Sequence, residues 1–420
     1  PIHRPASMAA SRPPAIIDNG TGYTKMGFAG NYQPNFIVPT VISTKDEKKA
    51  ASRGLSTRVA DLDFFIGDEA TKKRTGYNID YPIKHGIIDN WDNMEKYWQR
   101  CIFQYMRFDP EEHYVMLTEP PLNSPENREY TAEVMFETFN VPGLYIAVQA
   151  VLALCAAKLS GKADDARVTG TVIDSGDGVT HVIPVVDGYV IGSCIKHIPL
   201  AGRDVTNFIL QFLRDRGEKI PSEDQLAVAR IIKERYCYVC RDLVDEYKAY
   251  DADGMKTMEK FRKYSHFHKK TGKKYTVDVG YERFLGPEIF FTPEMFSEQF
   301  DKPLADVVDS TILNCPIDTI RSLYKYITLS GGSTMFKNFA PRLQRDIRRK
   351  TEARDKKREA AFPGMQLKKM DVKVIKHKFQ RFAVWFGGSM LASQPSFLGK
   401  FHTKAQYEEQ GPRIARSSNV

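Results

Sequence analysis

Two short acidic turns rich in glycine contain the residues best suited to binding phosphate and a metal ion. The first runs from Asp18 to Gly22 (DNGTG) and is followed by Lys25, and the second runs from Asp174 to Gly178 (DSGDG). Successive backbone N–H groups in a tight turn form a nest for anions, and glycine permits close approach because it has no side chain and tolerates positive φ. A carboxylate there can hold Mg²⁺ through water, since this ion gives up its waters reluctantly. The pair predicts a phosphate clamp, with Asp18 and Asp174 reaching the metal through water.

Buried strands must present both turns. Apolar residues at 15–17 and 23–29 flank the first turn, and those at 168–173 and 179–186 flank the second. This pattern and the turn composition predict two β-hairpins. One D-x-G turn alone occurs in many hairpins, so the prediction rests on the repetition of D-x-G-x-G. The repeat indicates an internal duplication, with one phosphate element in each of two domains.

A third element runs from Ile327 to Phe336. It is predicted to be a strand, a double-glycine turn at Gly331 and Gly332, and the start of a helix. Helix N-termini favour anionic ligands. An ordinary strand-to-helix turn is the alternative for this segment taken alone. Beside the paired hairpins, it is better interpreted as a wall that contacts the nucleoside and phosphates.

Helices are expected between the strands. Apolar residues recur at helical spacing in five segments, 126–139, 149–159, 204–216, 222–247 and 341–358. Interleaved strands and helices indicate an α/β fold. A chain of 420 residues exceeds what one hydrophobic core usually supports, so at least two domains are expected.

Composition narrows the classes of partner. The net charge is +9, which favours acidic partners, and acidic protein surfaces are preferred because no helix-turn-helix, zinc-finger or RNA-binding motif is present. The apolar run 145–157 contains Gln149 and falls short of the roughly 20 residues that cross a bilayer, so no membrane span is expected. Six cysteines without regular spacing favour reduced thiols in the cytoplasm.

Several other segments are expected to have no chemical function. Cys237 and Cys240 form a lone CxxC inside the helical pattern and are expected to be buried thiols. His266 and His268 are expected on a solvated loop. Residues 1–7 precede the first Met, Met8, and are interpreted as a cloning remnant.

Three segments are expected at the surface. Residues 44–61 and 251–274 are polar and are candidate loops or partner surfaces. The segment 342–378 is strongly basic. A solvated helix face is the preferred interpretation for most of its cations, and docking of a partner by some of them is the alternative.

Longer stretches resemble the actin superfamily, and the resemblance covers nearly all of residues 16–412. The matching segments are Tyr81 to Ile88 (YPIKHGII), Leu117 to Asn123 (LTEPPLN), Met135 to Pro142 (MFETFNVP), Gln149 to Leu152 (QAVL), Asp174 to His181 (DSGDGVTH), Leu200 to Asp204 (LAGRD), Val384 to Ser389 and Leu391 to Ser393. The resemblance implies an α/β actin-like ATPase fold, with duplicated ribonuclease-H-like lobes of two subdomains each around a nucleotide cleft. The implied subdomains are 8–40, 82–156 and 383–420; 41–81; 157–200 and 300–382; and 201–299.

The resemblance also implies ATP and Mg²⁺ as cofactors and assigns residues to them. The implied contacts are Asp18, Gly20, Thr21, Gly22 and Lys25 in the first phosphate turn; Asp174, Gly176, Asp177 and Gly178 in the second; Arg230, Lys233 and Glu234 on a nucleoside-contacting helix; Gly331, Gly332, Met335 and Phe336 at the adenosine wall; and Arg381 near the base. Gln149 matches the position that orients the attacking water, and His181 lies in the accompanying site. A Gln amide can orient water, although a capping or packing Gln is the alternative without the family match. Arg381 stands where the family usually has Lys, which keeps the cation but changes its shape.

Departures from conventional actin concern its assembly surfaces. Residues 44–61 do not resemble the loop used in longitudinal filament contacts, and 251–274, 341–370 and the C-terminal end are enlarged. The departures resemble actin-related proteins of the filament-branching complex. That resemblance implies nucleation of branched filaments, with actin-related protein 2, other complex subunits, actin filaments and acidic nucleation-promoting factors as partners, in the cytoplasmic cytoskeleton and cell projections.

Two alternative functions remain open, and hinges between the lobes are expected. A conventional filament-forming actin is the first alternative, and a metabolic kinase of the same superfold is the second, since fold alone does not fix function. ATP hydrolysis, where it occurs, is expected to be slow. Hinges are expected at 149–157 and near Arg381.

Overall fold

The computed structural model describes residues 12–45, 64–72, 77–84, 86–161, 168–251, 260–268, 271–362 and 368–416. Residues 1–7 and most of 44–61 lie outside these ranges, so the expectations for them stay predictions.

The strands are short. In chain order they are β1 Ala15–Asn19, β2 Tyr23–Phe28, β3 Phe36–Pro39, β4 Ile42–Lys45, β5 Phe64–Ile66, β6 Tyr77–Asp80, β7 Ile83–Lys84, β8 Ile87–Ile88, β9 Val115–Glu119, β10 Gly143–Val148, β11 Gly170–Ser175, β12 Thr180–Val186, β13 Tyr189–Val190, β14 Lys196–Ile198, β15 Arg262–Phe267, β16 Lys274–Val279, β17 Ile327–Ser330, β18 Val374–Ile375 and β19 His402–Thr403. Both predicted hairpins, β1–β2 and β11–β12, are confirmed.

Helices separate most of the strands. In the described residues the α-helices are α1 Gly67–Ala70, α2 Trp91–Arg100, α3 Pro125–Glu133, α4 Gln149–Leu159, α5 Gly202–Asp215, α6 Gln225–Tyr236, α7 Leu243–Asp251, α8 Glu282–Glu288, α9 Leu304–Leu313, α10 Ile320–Lys325, α11 Phe339–Ala361, α12 Ala383–Ala392, α13 Pro395–Leu398 and α14 Lys404–Gln410. The predicted α/β class is confirmed.

The chain forms two compact units. The first contains residues 1–168, 185–192 and 377–420, and the second contains 169–184 and 193–376. The first acidic turn therefore belongs to the first unit and the second turn to the second unit. The four-subdomain division and the hinge positions are finer than this and stay predictions.

The first unit is built on a sheet with the strand order β19-β10-β9-β1-β2-β3. β1 runs parallel to β9 and antiparallel to β2. Alternate residues of β1 face opposite sides: Ile17 joins the core formed with α2 and α3, while Ile16 lies beneath Gly388 of α12. Helices thus cover both faces of the central strands.

Helices α12 and α4 of the first unit pack backbone to backbone. A Cβ added at Gly387 would overlap the carbonyl oxygen of Leu152. Only glycine fits this approach, because any side chain there would need the two helices to separate.

The second unit repeats the arrangement around the second turn. Its sheet has the order β12-β11-β17-β18, and β14 pairs with the other edge of β12. β11 runs parallel to β17, as β1 does to β9. Asp18 and Asp174 each stand at the carboxyl end of a strand that has a parallel neighbour, which agrees with the predicted duplication.

One predicted helix is wrong. Residues 222–247 form two helices, α6 and α7, because Cys237 adopts an extended conformation with ψ 149°. The Tyr238 N–H then donates to Arg283 O and the Val239 N–H donates to Lys337 O. Hydrogen bonds from distant segments thus override the local periodicity.

The histidine-containing segment also differs from its prediction. His266 lies on β15, which pairs with β16 over six residues, so this part of 251–274 is a hairpin and not a loop. The Tyr264 hydroxyl lies 2.8 Å from His266 Nδ1. His268 Nδ1 accepts a hydrogen bond from the Thr271 N–H.

The prediction for the CxxC pair holds only in part: Cys240 is buried, whereas Cys237 is partly exposed, and both residues follow the end of α6. All six cysteines lie within the described residues and none forms a disulfide. Burial raises the pKa of the Cys240 thiol to about 12 and raises that of Cys237 further. In the part of the chain that the structure covers, no group of three His, Cys, Asp or Glu could hold a metal ion, and no helix is both long and apolar enough to cross a bilayer.

Candidate functional site

The candidate phosphate element of the first unit is built on the β1–β2 hairpin. Asp18 is opposite Lys25 in the antiparallel register and only 1% exposed. Its Oδ2 accepts a hydrogen bond from Lys25 Nζ at 2.9 Å. A buried carboxylate needs a charged partner, and Lys25 supplies it. The Lys25–Asp18 ion pair therefore fixes the position of the metal-binding candidate and places a cation near the turn.

Gln149 lies beside Asp18. It is the first residue of α4, directly after β10, as the sequence indicates. Its Nε2 is 3.3 Å from Thr118 Oγ1 and 3.5 Å from Asp18 Oδ1. The amide predicted to orient water and the carboxylate predicted to bind metal therefore share one small cluster.

Thr118 joins these two groups, and the sequence reasoning did not single it out. Its hydroxyl donates to Asp18 Oδ1 over 2.6 Å. Thr118 stands near the carboxyl end of β9, between β1 and β10, so sheet order brings it to both neighbours. The matching LTEPPLN stretch contains it, but local sequence does not reveal that β9 lies between these strands.

The backbone of the first turn is held from two sides. Thr40 Oγ1 donates to Gly20 O at 2.7 Å, and Gly86 N donates to Thr21 Oγ1 at 2.9 Å. A Cβ on Gly20 would lie 2.8 Å from Tyr23 O. Positive φ is not the reason for the turn glycines, since Gly20, Gly22, Gly176 and Gly178 all have ordinary φ. Close approach of the backbone is the reason at Gly20.

The candidate phosphate element of the second unit is built on the β11–β12 hairpin. The hydroxyls of Ser175 and Thr180 lie 2.7 Å apart across the two strands. The Gly202 N–H donates to Gly176 O, and the Arg203 N–H donates to the carbonyl of Asp177. The space that a Cβ on Gly176 would occupy is open. Helix α5 thus fixes the carbonyl side of the turn and leaves Gly176 accessible to a ligand.

Asp177 is placed differently from Asp174. Its carboxylate pairs with Arg203 at 3.2 Å on an exposed part of the turn. Asp174 is the penultimate residue of β11 and lies opposite Ser330 of β17. The two acidic residues of the second turn therefore have separate surroundings.

The double-glycine element packs against the second turn. Gly331 has φ 90°, and a Cβ there would overlap Ser175 O. Ser333 Oγ donates to Gly176 O at 2.6 Å. The predicted helix start is wrong, because residues Gly332–Thr334 form a single 3-10 turn and α11 begins only at Phe339. An anion site at a helix N-terminus is therefore absent from this described segment.

Two side chains follow this turn at the predicted adenosine wall. Met335 is 50% exposed and Phe336 is half-buried. An exposed methionine next to a partly buried ring leaves apolar surface for a flat ligand.

Helix α6 contacts the start of α5 through Lys233. Its Nζ donates to Gly202 O at 2.7 Å, and burial lowers the pKa of this amine. Arg230 and Glu234 lie three residues before and one after Lys233, and both are exposed. The three predicted nucleoside contacts therefore share one face of the helix, and Lys233 joins that face to Gly202, which is bonded to the phosphate turn.

His181 follows the second turn on β12. Its Nε2 lies 3.2 Å from Nδ1 of His197 on β14. Burial, and next the neighbouring His197, lower the pKa of His181 to about 4. The ring is therefore neutral near pH 7.

Arg381 belongs to the first unit. It is exposed and lies in the 3-10 turn Gln380–Phe382. The other predicted nucleoside contacts lie in the second unit, so a shared role with them stays a prediction.

Five cations of the basic segment 342–378, all on α11, have structural partners. Arg342 pairs with the fully buried Glu288 at 3.1 Å, and Arg354 contacts both oxygens of Asp309 at 2.6 and 2.5 Å. Further contacts join Arg345 to Asp346, Lys350 to Asp306 and Arg348 to Val372 O. The exposed cations of α11 are Arg348, Arg349, Lys356, Lys357 and Arg358. Part of the positive charge thus fixes α11 against its neighbours, and the rest lies on a solvated face, as the sequence indicates.

Each acidic turn by itself has features suited to phosphate and a magnesium ion. Each supplies one carboxylate at the end of a buried strand, and neither forms a cluster of three acidic or imidazole ligands. One protein carboxylate with several waters is typical of Mg²⁺ bound to nucleotide phosphates. The open cradle at Gly176 and the half-buried amine of Lys233 suit an anion.

Known proteins are similar in sequence to nearly the whole chain, including both acidic turns. The family model described as "Actin" matches residues 9–418. Actin-related protein 3 of Acanthamoeba castellanii is 60% identical over 418 residues, covering 97% of each chain. Actin-related protein 3 of Caenorhabditis elegans is 57% identical and that of Drosophila melanogaster is 55% identical, each covering 98% of this chain and 99% of the relative. The chain belongs to the actin family and has an actin-like fold.

Proposed function

We propose that this chain binds Mg²⁺-ATP and acts as an actin-related subunit of the filament-branching complex. In that role it pairs with actin-related protein 2 to form a template for a new filament. The observation that carries the proposal is end-to-end similarity, at 55–60% identity, to three proteins named actin-related protein 3.

Nucleotide binding is supported by the two matching hairpins. One triphosphate is contacted by the first turn from Asp18 to Lys25 and by the second from Asp174 to Gly178. Asp18 and Asp174 hold Mg²⁺ through water, and Lys233 binds the carbonyl of Gly202, whose N–H donates to Gly176 O in the second turn. Gly331, Met335 and Phe336 contact the adenosine, together with Arg230 and Glu234.

Slow hydrolysis is part of the proposal. When bound, Mg²⁺ neutralises charge on the phosphate oxygens. Gln149 orients the attacking water, since its amide is already directed to the Asp18–Thr118 pair. Hydrolysis then acts as a timer for the conformation presented to partners.

Assembly partners follow from the relatives and from charge. We assign actin-related protein 2, other subunits of the branching complex, actin filaments and acidic nucleation-promoting factors as partners. The net charge of +9 favours acidic surfaces. The proposed location is the cytoskeleton, including cell projections.

Nucleotide binding is tested with a fluorescent ATP analogue in Mg²⁺ and in EDTA. Asp18→Ala and Asp174→Ala are each expected to weaken Mg²⁺-dependent binding at least tenfold, about 1.4 kcal/mol. The exposed Asp92 and Asp318 provide control substitutions to Ala, one in each unit. Unchanged affinity in both turn variants would refute the assignment.

Assembly is tested by sedimentation and by co-purification. The chain alone with ATP and salt is expected to stay in the supernatant, and from cell extract it is expected to bring down actin-related protein 2. Long filaments formed by the chain alone would instead support a conventional actin. Appreciable transfer of phosphate to sugars would support the kinase alternative.

A further inference from the structure

A row of three polar side chains crosses the sheet of the second unit. The Ser175–Thr180 hydroxyl contact sets these two residues opposite each other on the neighbouring strands β11 and β12. Asp174, one residue earlier, is therefore opposite His181, one residue later. His181 is in turn opposite His197 in the antiparallel register of β12 and β14. Directly opposite residues of antiparallel strands lie on the same face.

The first hairpin shows what the residue opposite the aspartate can do. There, Asp18 is opposite Lys25, whose amine fixes the carboxylate. In the second hairpin the position corresponding to Lys25 is occupied by His181. An imidazole is a directional group with two distinct nitrogens, so its use depends on ring orientation and tautomer.

His197 supplies the contact that sets both properties. Its Nδ1 lies 3.2 Å from Nε2 of His181, and the two ring centroids are 5.2 Å apart at 60°. Only one hydrogen occupies the gap between these nitrogens, so two neutral rings must have complementary tautomers. The hydrogen bond also prevents rotation of the His181 ring about its χ2 angle.

We propose that His197 is a positioning residue, which fixes the ring orientation and tautomer of His181 for the ATP-cleavage step. His197 is exposed, so it acts through His181 and is not itself placed against the phosphate turn. The inference rests on the proposed function, because His181 has a catalytic task only when the second turn holds the triphosphate.

The test compares His197→Leu with His197→Asn in the full chain. Asn places an amide near the position of Nδ1 and can keep the hydrogen bond, whereas Leu removes it. The exposure of His197 favours folding of both variants, and near-ultraviolet circular dichroism checks this. Three quantities are measured: affinity for Mg²⁺-ATP, the single-turnover rate of phosphate release at saturating ATP, and the ¹⁵N imidazole signals of His181, assigned by comparison with His181→Gln.

Loss of one hydrogen bond that acts in the cleavage step lowers the rate by a factor of about ten. His197→Leu is expected to slow cleavage about tenfold, to leave affinity within about twofold, and to change the His181 tautomer signal. His197→Asn is expected to retain the signal and a rate within about threefold of the unsubstituted chain.

The outcomes separate the two proposals. An unsubstituted chain that binds no Mg²⁺-ATP would refute the proposed function, and the positioning role of His197 with it. Binding and cleavage that are normal in the unsubstituted chain and equal in His197→Leu would overturn the role of His197 alone. An unchanged His181 signal in His197→Leu would also overturn it, since a residue that only stabilises the fold does not alter that signal.

Discussion

Thr118 Oγ1 lies 2.6 Å from Asp18 Oδ1, although the two residues are 100 positions apart in the chain. The same hydroxyl receives the Gln149 amide at 3.3 Å. A single threonine thus connects the carboxylate proposed to hold magnesium with the amide proposed to orient water.

Thr118→Val keeps the shape of the side chain and removes the hydroxyl. Because a hydrogen bond to a charged group contributes about 1.5–3 kcal/mol, we expect a comparable loss in unfolding free energy and weaker Mg²⁺-ATP binding. Thr118→Ser retains the hydroxyl and is expected to restore most of both. Urea unfolding and nucleotide titration provide the measurements. Equal behaviour of Val and Ser would show that the hydroxyl has no role.

Gly331→Ala is expected to destabilise the second unit by more than about 2 kcal/mol, because an L side chain is strained at φ 90° and its Cβ overlaps Ser175 O. The neighbouring Gly332 has ordinary φ and open space. Gly332→Ala is therefore the matched control, expected within about 0.5 kcal/mol of the unsubstituted chain. Denaturant midpoints decide between them, and an equal loss in both variants would contradict the close approach at Gly331.

Lys233 links nucleotide binding to pH. Burial lowers the pKa of its amine in the folded chain below 10.5. A nearby triphosphate favours the charged form and raises the pKa again. Binding should therefore take up protons between the lowered pKa and 10.5, and affinity should fall as the pH rises through that window.

Calorimetry in two buffers of different ionisation enthalpy measures this uptake. Lys233→Met is expected to abolish it, while substitution of the exposed Lys302 by Met should leave it intact. The same uptake in Lys233→Met and in the unsubstituted chain would place the triphosphate elsewhere.

Arg354 tests whether the basic segment serves structure. It contacts both oxygens of Asp309, which also accepts a hydrogen bond from the Tyr324 hydroxyl. Arg354→Met should cost about 1.5–3 kcal/mol of unfolding free energy, because it leaves a partly buried carboxylate without its charge partner. Lys357→Met removes an exposed cation of the same helix and should change stability by less than about 0.5 kcal/mol. Comparable losses would show that charge number, and not pairing, stabilises α11.

Local sequence sufficed for the elements that depend on neighbouring residues. Alternating apolar residues and glycine turns gave both hairpins, and the step from β10 to α4 placed Gln149 correctly. Features set by distant contacts were not predictable in this way. The break after Tyr236 depends on acceptors at Arg283 and Lys337.

Thr118 and His197 were not predicted as site residues for the same reason, because distant strands bring them to their partners. Thr118 meets Asp18 because β9 lies beside β1, and His197 meets His181 because β14 pairs with β12. Neither pairing leaves a periodic trace in the chain. The helix expected after Gly331 failed for another reason: the chain at Gly332–Thr334 turns once and bonds back to Gly176 through Ser333.

The contact between Gly387 and Leu152 gives a residue far from any phosphate control over the nucleotide chemistry. Leu152 lies one turn into the helix that begins with Gln149, so displacing that helix by an ångström moves the amide out of reach of Asp18 and Thr118. A random mutagenesis screen for impaired ATP turnover would therefore recover substitutions at position 387. A map of functional residues drawn from such a screen would then include a position of α12, which lies outside both acidic turns.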